Sequence, residues 1–429
     1  YDVYAMRSPI AQNNAFFGRY GFYNTKTYKG LDNFQPRITA LWKPVPDLSI
    51  RATAAVFGGG SPDIYLSNSY SNTGVLSNRI TTVTRATPGV GAVAGSQTTS
   101  TCTAPYNVAG STANVCTDAL NNVSGTSIPG SVNTYLSNNL TSLTTAGTNA
   151  LDQNFKLPSV TKLTGSVDYK LYGVNVGATY LYTQTNQAVT FTDLRSRVIG
   201  VLPDGRPRYG SVTTFTDTNQ DILLTNTTKG RSHIFVVHAD KTFDWGLSLG
   251  GSYSWQDVKD VSPASSSTAS SNYYNVAMSD PNNATLGISS DQTKWAFKYN
   301  VGFDHAFFGD YKTTIQLFGE TRAGRPYSFT MQSPGSGRSA VFGVLGGANL
   351  GTNSDQRYLL YVPTSTTDPL VSYDSADTQT ALDNLINSSK LKDYRGKIAA
   401  RNIARNRAFT RIDLHLEQEL PTFIGGSRV

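Results

Sequence analysis

The chain has 429 residues, enough for one large barrel or two to three soluble domains. Only 15% are charged, against roughly 25% in typical soluble domains, yet mean hydropathy is −0.29 and no apolar run of about 18 residues occurs, which excludes a spanning helix. The net charge of +7 is spread along the chain and not gathered into one basic helix or arm, which argues against a nucleic-acid partner.

Residues 1–32 hold an aromatic-rich stretch, AFFGRYGFYN at 15–24, without clean alternation. The first predicted strand covers 34–42, with Ile38, Ala40 and Trp42 on one face and Arg37, Thr39 and Lys43 on the other. Pro44-Val45-Pro46-Asp47 predicts a tight turn. The chain returns through Leu48, Ile50, Ala52, Ala54 and Val56, with Arg51 facing the other way, to Gly58-Gly59-Gly60. Residues 61–158 are rich in Ser, Thr, Asn, Gly and Ala and read as one long loop region with room for a short helix or hairpin. Both cysteines, Cys102 and Cys116, lie there. A close pair in a polar loop predicts a disulfide and an oxidising compartment, the alternative being two free thiols.

Residues 160–185 form the clearest hairpin. Leu163, Val167, Tyr169 and Leu171 share one face, and Lys162, Thr164, Ser166, Asp168 and Lys170 the other. After Tyr172-Gly173 the alternation resumes with Val174, Val176, Ala178, Tyr180 and Tyr182. Each arm reaches the roughly 9–11 residues that a bilayer-crossing strand needs, whereas soluble strands peak near 5–6. A third hairpin spans 230–257 and turns at Asp244-Trp245-Gly246; its first arm, HIFVVHADK, is ambiguous in parity. A fourth spans 291–321 and turns at Phe308-Gly309-Asp310, setting Trp295, Phe297, Tyr299, Val301, Phe303 and Phe307 against Lys294, Lys298, Asn300 and Asp304. Its return arm sets Tyr311, Ile315 and Leu317 against Lys312, Gln316 and Glu320. Residues 356–362 are strand-like and 381–388 suit a short amphipathic helix. The last clear strand, 409–420, places Ile412, Leu414 and Leu416 opposite Arg411, Asp413, His415 and Glu417.

Short turns thus alternate with long connections at 58–158, 190–229, 258–290 and 328–356. That asymmetry marks an all-β, transmembrane, antiparallel outer-membrane β-barrel with short periplasmic turns and long extracellular loops. A soluble β-protein is the alternative. Tyr169, Tyr182, Trp245, Trp255, Trp295, Phe307 and Tyr311 are expected in lipid-facing girdles. The charges Arg51, Lys162, Asp168, Lys170, Lys294, Lys298, Asp304, Glu320, Arg411, Asp413 and Glu417 are expected to face a wet lumen, since unpaired buried charge is costly.

No catalytic, cofactor or metal site is expected. Gly58-Gly59-Gly60 lacks the Lys-Ser/Thr of a phosphate loop. The stretch from Asp217 to Asp221 starts like a calcium loop, but Ile222 stands where the turn glycine should be and Thr228 where the bidentate Glu should be. His233, His238, His305 and His415 are scattered on strands. The basic run Lys390, Lys392, Arg395, Lys397, Arg401, Arg405, Arg407 and Arg411 reads either as solvated loop and lumen charge or as a patch for lipopolysaccharide phosphates or an anionic ligand.

Several stretches together resemble TonB-dependent outer-membrane receptors, especially the Oar-like branch. They are RYGF at 19–22, FQPR at 34–37, FGGGSPDIYLSNSYSNTG at 57–74, LPDGRPRY at 202–209, TKGRS at 228–232, GRPYS at 324–328, YRG at 394–396, Arg401-Asn402 and RIDLHLEQELP at 411–421. The resemblance implies part of a 22-stranded barrel closed by an N-terminal plug, and ligand-gated uptake of a scarce small ligand or peptide driven by the TonB energy complex. It also implies residence in the bacterial outer membrane, among its lipid and lipopolysaccharide. A surface-binding or adhesive β-protein without transport is the alternative. The chain starts at Tyr1 without an initiator Met and carries neither plug nor final aromatic strand, so residues 1–429 are read as a C-terminal barrel domain cut at both ends.

Overall fold

The computed structural model describes residues 2–4, 12–26, 28, 31–59, 65–74, 124–138, 147–213, 219–262, 264, 266–283, 285–334, 338–339, 341–344 and 354–422. Cys102 and Cys116 fall outside them.

The chain is all-β, antiparallel and barrel-like. Nine long strands form a single meander in which each pairs with its sequence neighbours. They are β1 (Arg37–Val45), β2 (Leu48–Gly58), β3 (Ser159–Leu171), β4 (Val174–Asp193), β5 (Arg231–Thr242), β6 (Leu247–Asp260), β7 (Trp295–Phe308), β8 (Tyr311–Arg322) and β9 (Phe409–Gln418). The outer edges, β1 and β9, pair with no further strand among the described residues.

The hairpin tips form because their residues accept the required backbone. Tyr172 and Gly173 have φ of 49° and 76°, the double positive pair of a two-residue turn whose twist matches the strands. Tyr172 is 91% exposed, so its ring is free to project beyond the wall. Gly246 and Gly309 take the positive φ at the β5–β6 and β7–β8 tips.

Register sets the slope of the wall. One pairing row runs Ile50, Val167, Ala178, Val237, Tyr253, Phe297 from β2 to β7. Along it Ile50 stands three residues from Asp47, Val167 five from Tyr172, Val237 seven from Asp244 and Phe297 twelve from Gly309. One of the nine residues of drift is taken up by the irregularity between Ala306 and Phe308. The tips therefore recede by about 26 Å along the strands over about 24 Å across them, taking ~3.3 Å per residue and ~4.8 Å per strand interval. With the tips level, the strands tilt by roughly 45°, near the range of closed barrels.

The wall has little interior of its own; its core residues sit at the end opposite the tips, where the long connections fold into a cap. Helix Asn14–Tyr20 is capped by Asn13, whose side chain accepts from the Phe16 amide, and ends at Gly21 with φ 76°. Strand Asp221–Thr227 turns back antiparallel onto the outer end of β4, and strand Thr148–Leu151 joins it in parallel. A second hairpin, Ser196–Val201 with Pro207–Ser211, stands beside them. Three apolar clusters hold the cap: Leu151, Phe155, Phe191, Ile222, Leu224 and Tyr273 in the first; Tyr209, Phe342, Val344 and Tyr358 in the second; Val362, Ile386, Leu391 and Ala399 in the third. Among the described residues, the long connections at 190–229 and 258–290 carry paired strands and a short helix, Ala269–Tyr274. The helix expected at 381–388 runs from Ala376 to Ser388, because Ser375 caps the Thr378 amide five residues earlier than apolar spacing alone suggests.

Candidate functional site

Strand pairing resolves the wall into two unlike faces. On one, Tyr180, Phe235, Trp255 and Trp295 lie in a single cross-strand row. Leu249, Val301, Leu317 and Leu414 make another. Ile412, Leu414 and Leu416 are 58–65% exposed, a continuous apolar edge that a lone soluble surface rarely shows. Tyr299 lies across Gly319, where a Cβ would meet the ring at 2.0 Å, so the glycine makes room for the tyrosine. At the tip end Trp245, Phe303, His305 and Phe307 gather, with His305 and Phe307 rings 4.7 Å apart. Tyr172 to Tyr182 and Trp245 to Trp255 are each ten residues, about 33 Å along the strand and ~23 Å along the normal at the tilt above. The two aromatic bands are thus spaced like the flanks of a hydrocarbon layer about 25 Å thick.

The other face is polar. One row runs Ser49, Asp168, Gly177, His238, Ser252, Lys298, Glu320, Arg411. Gly177 leaves space for His238 Nε2 to approach Asp168 Oδ1 at 3.6 Å across the intervening strand. Lys298 Nζ lies 3.9 Å from Glu320, Lys312 Nζ 3.0 Å from Asp304, and Arg411 Nε 2.9 Å from Asp413. Arg51, Lys162, Lys170 and Glu417 fall on this face by register. These pairs are partly exposed and contribute little stability singly. They make a hydrophilic surface that needs water or a polar partner.

Register also settles the ambiguous arm of β5. His233, Phe235 and Val237 join the apolar face, while Ile234, Val236 and His238 join the polar one. Lys294 departs from expectation. Residue 294 lies just beyond the last β6–β7 pair, Trp255 with Trp295, and its carbonyl still accepts from the Gln256 amide. Its Nζ lies 4.3 Å from the Trp255 ring centre and 3.8 Å from Asp257 Oδ1, on the apolar side. Tyr169, Tyr182, Trp255, Trp295 and Phe307 share the apolar face by register, and Tyr311 and Trp245 lie at the tips.

The cap is held by buried arginines that pattern reading did not single out. Arg195 and Asp221 are both 0% exposed and paired at 2.8 Å. Arg19 Nη2 reaches the same carboxylate at 2.9 Å, and Tyr20 Oη donates to it at 2.8 Å. Burial, with the Asp221 charge adding to it, pushes the Tyr20 phenol far above its ordinary range. Asp193 accepts from the Arg195 and Asp221 amides at 3.1 Å each and from Ser196 Oγ at 2.6 Å, yet its burial raises its carboxyl pKa. Arg206, in the LPDGRPRY stretch, pairs with Asp204, donates to the Leu359 carbonyl at 2.7 Å and lies over the Phe342 ring. Arg357 lies 4.3 Å from the Tyr273 ring centre and donates to that residue's carbonyl at 2.8 Å. No periodic signal marks these residues; their partners lie far away in sequence.

The basic run at 390–411 does not form one patch. Arg395 pairs with Asp383 at 2.7 Å, Arg401 is buried against Asp260 at 2.5 Å, Arg405 bonds Gln292, and Arg411 belongs to the polar face. Among the described residues no three His, Cys, Asp or Glu groups converge as a metal site. Of the stretch read as an imperfect calcium loop, Asp221 is committed to arginines.

No family model matches this chain, and no curated protein matches it. Among solved structures it is similar to a mutant of the ferric enterobactin receptor from Pseudomonas aeruginosa, at 9% identity and a TM-score of 0.35. That match covers 69% of this chain and 29% of the receptor, so the chain spans under a third of that protein's length. A likeness so slight fixes neither family nor substrate. The structure itself defines the class: an all-β, antiparallel, barrel-like wall with an apolar face, a polar face and a packed cap at one end.

Proposed function

We propose that this chain forms wall and cap of a bacterial outer-membrane β-barrel receptor of the TonB-dependent, Oar-like kind, which admits a scarce small ligand or peptide by ligand-gated active transport. The observation that supports it most is the register: two aromatic bands ten residues apart follow the receding hairpin tips on tilted strands, as a bilayer requires. Unpaired strand edges cannot face hydrocarbon, so β1 and β9 would be completed by further strands toward the 22 of the resembling family. The polar row through Asp168, Lys298, Glu320 and Arg411 then lines the lumen, where a plug of opposite charges would dock, and the hairpin tips meet the periplasm. The TonB complex would engage that plug. The extracellular cap would be the ligand-facing part, and strand Thr148–Leu151 and Phe155 belong to it.

The size of the packed cap favours a second reading, a surface-binding or adhesive protein without transport. Planar-bilayer conductance separates the two. Full-length protein should be nearly closed, and a plug-deleted barrel should pass ions. A full-length protein as conductive as the deletion, or one encoding no plug, would defeat the transport reading and leave surface binding.

A further inference from the structure

Three cations gather about a single carboxylate at the cap end of the apolar face. Arg231 and Lys259 are directly opposite each other across β5 and β6, on the apolar face. Like charges in that relation are destabilising unless an anion lies between them. Lys294 joins them from the start of β7. One carboxylate serves the group: Asp257 lies 4.0 Å from Lys259 and 3.8 Å from Lys294. Arg231 is exposed and makes no ion pair among the described residues. Beside it a groove of about 460 Å³, bordered by Gln184, Lys229, Asn283 and Thr285, opens outward.

The height of the cluster identifies its partner. Counted from the hairpin tips, Arg231 stands thirteen residues from Asp244, Lys259 fourteen from Trp245 and Lys294 fifteen from Gly309. The three cations thus share one level on tilted strands. Trp255 on the same strand is four residues nearer the tip, so the level lies about 9 Å beyond the aromatic band along the normal. Lys294 lies against Trp255 itself, bridging band and cluster. That is the depth of lipid headgroups, on the outer side of the wall and at the cap end.

We infer that Arg231, Lys259 and Lys294 form a binding site for the anionic headgroup of an outer-leaflet glycolipid, with Asp257 holding the two lysines apart and ready. The inference rests on the membrane-wall reading above. Arginine can grip two oxygens of a phosphate in fork geometry, while the lysines act as point charges around it.

The test uses the full-length protein purified from outer membranes and exchanged into neutral phosphatidylcholine nanodiscs containing either diphosphoryl lipid A or its fully dephosphorylated form. Native mass spectrometry counts the lipid retained. Wild type should retain the diphosphoryl form at least tenfold over the dephosphorylated one. Arg231→Gln with Lys259→Gln should bring the ratio below threefold, while Lys241→Gln, a cation at the tip end of the same face, should leave it unchanged. No preference in wild type, or an undiminished one in the double variant, overturns the site. Should the double variant fail to assemble, the wild-type preference and the single Arg231→Gln variant decide. Failure of the underlying reading looks different: the wild-type protein would not be recovered in the membrane fraction at all.

Discussion

Val167 and Ser166 are adjacent in sequence and point to opposite faces, so arginine at each position reads the sidedness of the wall directly. Val167 stands between Ile50 and Ala178, is 42% exposed, and lies five residues above the Tyr172 tip. At a tilt of 45° five residues rise ~12 Å, half of a 25 Å apolar layer, so the proposed membrane reading puts Val167 near the midplane. Arginine there costs roughly 2–4 kcal/mol, a 30- to 900-fold loss in the inserted fraction. Ser166 lies between Arg51 and Thr179 on the polar face. Arginine at Ser166 meets the Arg51 charge across the strand, a penalty of at most about 1 kcal/mol. Urea titration of protein folded into lipid vesicles measures both. Val167→Arg should lose at least 1 kcal/mol more than Ser166→Arg. Equal losses, or a greater loss at Ser166, would refute the assignment of the two faces and the membrane reading with it.

Asp221→Ala strips a buried guanidinium of its anion and should destabilise the cap by about 3–5 kcal/mol, seen as faster hydrogen exchange in residues 13–24 and 193–227 with β6 to β8 unaffected. Because the Asp193 carboxyl pKa is raised on folding, the folded cap holds this proton more tightly than the unfolded chain; its contribution is complete below the unfolded value near 3.9 and is lost as pH rises through the folded value. Asp193→Asn should therefore flatten cap stability across that window, as read by limited proteolysis against pH. Gly319→Ala drives a Cβ into the Tyr299 ring and should cost about 1–3 kcal/mol in the same urea titration, with Tyr299→Ala relieving much of it. Cys102 and Cys116 should be joined in protein taken from the outer membrane, and intact mass with and without reductant tests it; in the entropy model a loop of about 15 residues gives roughly 3 kcal/mol.

The wall was legible because its strands carry one polarity per face, and period two survives without knowledge of any contact. Parity failed only where that contrast weakens. In β5, Ile234 and Val236 lie on the polar face, and only register with β4 and β6 shows it. Lys294 precedes the first residue of β7, and its long side chain reaches the Trp255 ring on the face that its number did not predict. The cap was illegible for a different reason. Its contacts join residues far apart in sequence, such as Arg19 to Asp221 and Arg206 to Leu359, and no local pattern encodes them. The short motifs that carried the family resemblance turn out to hold several of these contacts: RYGF supplies Arg19 and Tyr20, LPDGRPRY supplies Arg206, and Arg401 reaches Asp260.

This use of arginine also explains the charge balance better than an anionic partner for the whole chain would. Arg19, Arg195, Arg206, Arg357 and Arg401 each tie a cap segment to a carboxylate or to carbonyls of another. Guanidinium suits the task because its five donors satisfy several acceptors at fixed angles, where lysine would offer one compact charge. The latches interlock: Arg195 and Arg19 share Asp221, Arg206 holds the strand that contains Arg357, and Arg357 packs on Tyr273 of the first core cluster. Moving one loop alone would leave a buried guanidinium short of acceptors, at several kcal/mol. A cap so tied moves as a block or not at all. On the proposed transport reading, the gate then belongs to a partner docked on the polar face and not to the cap.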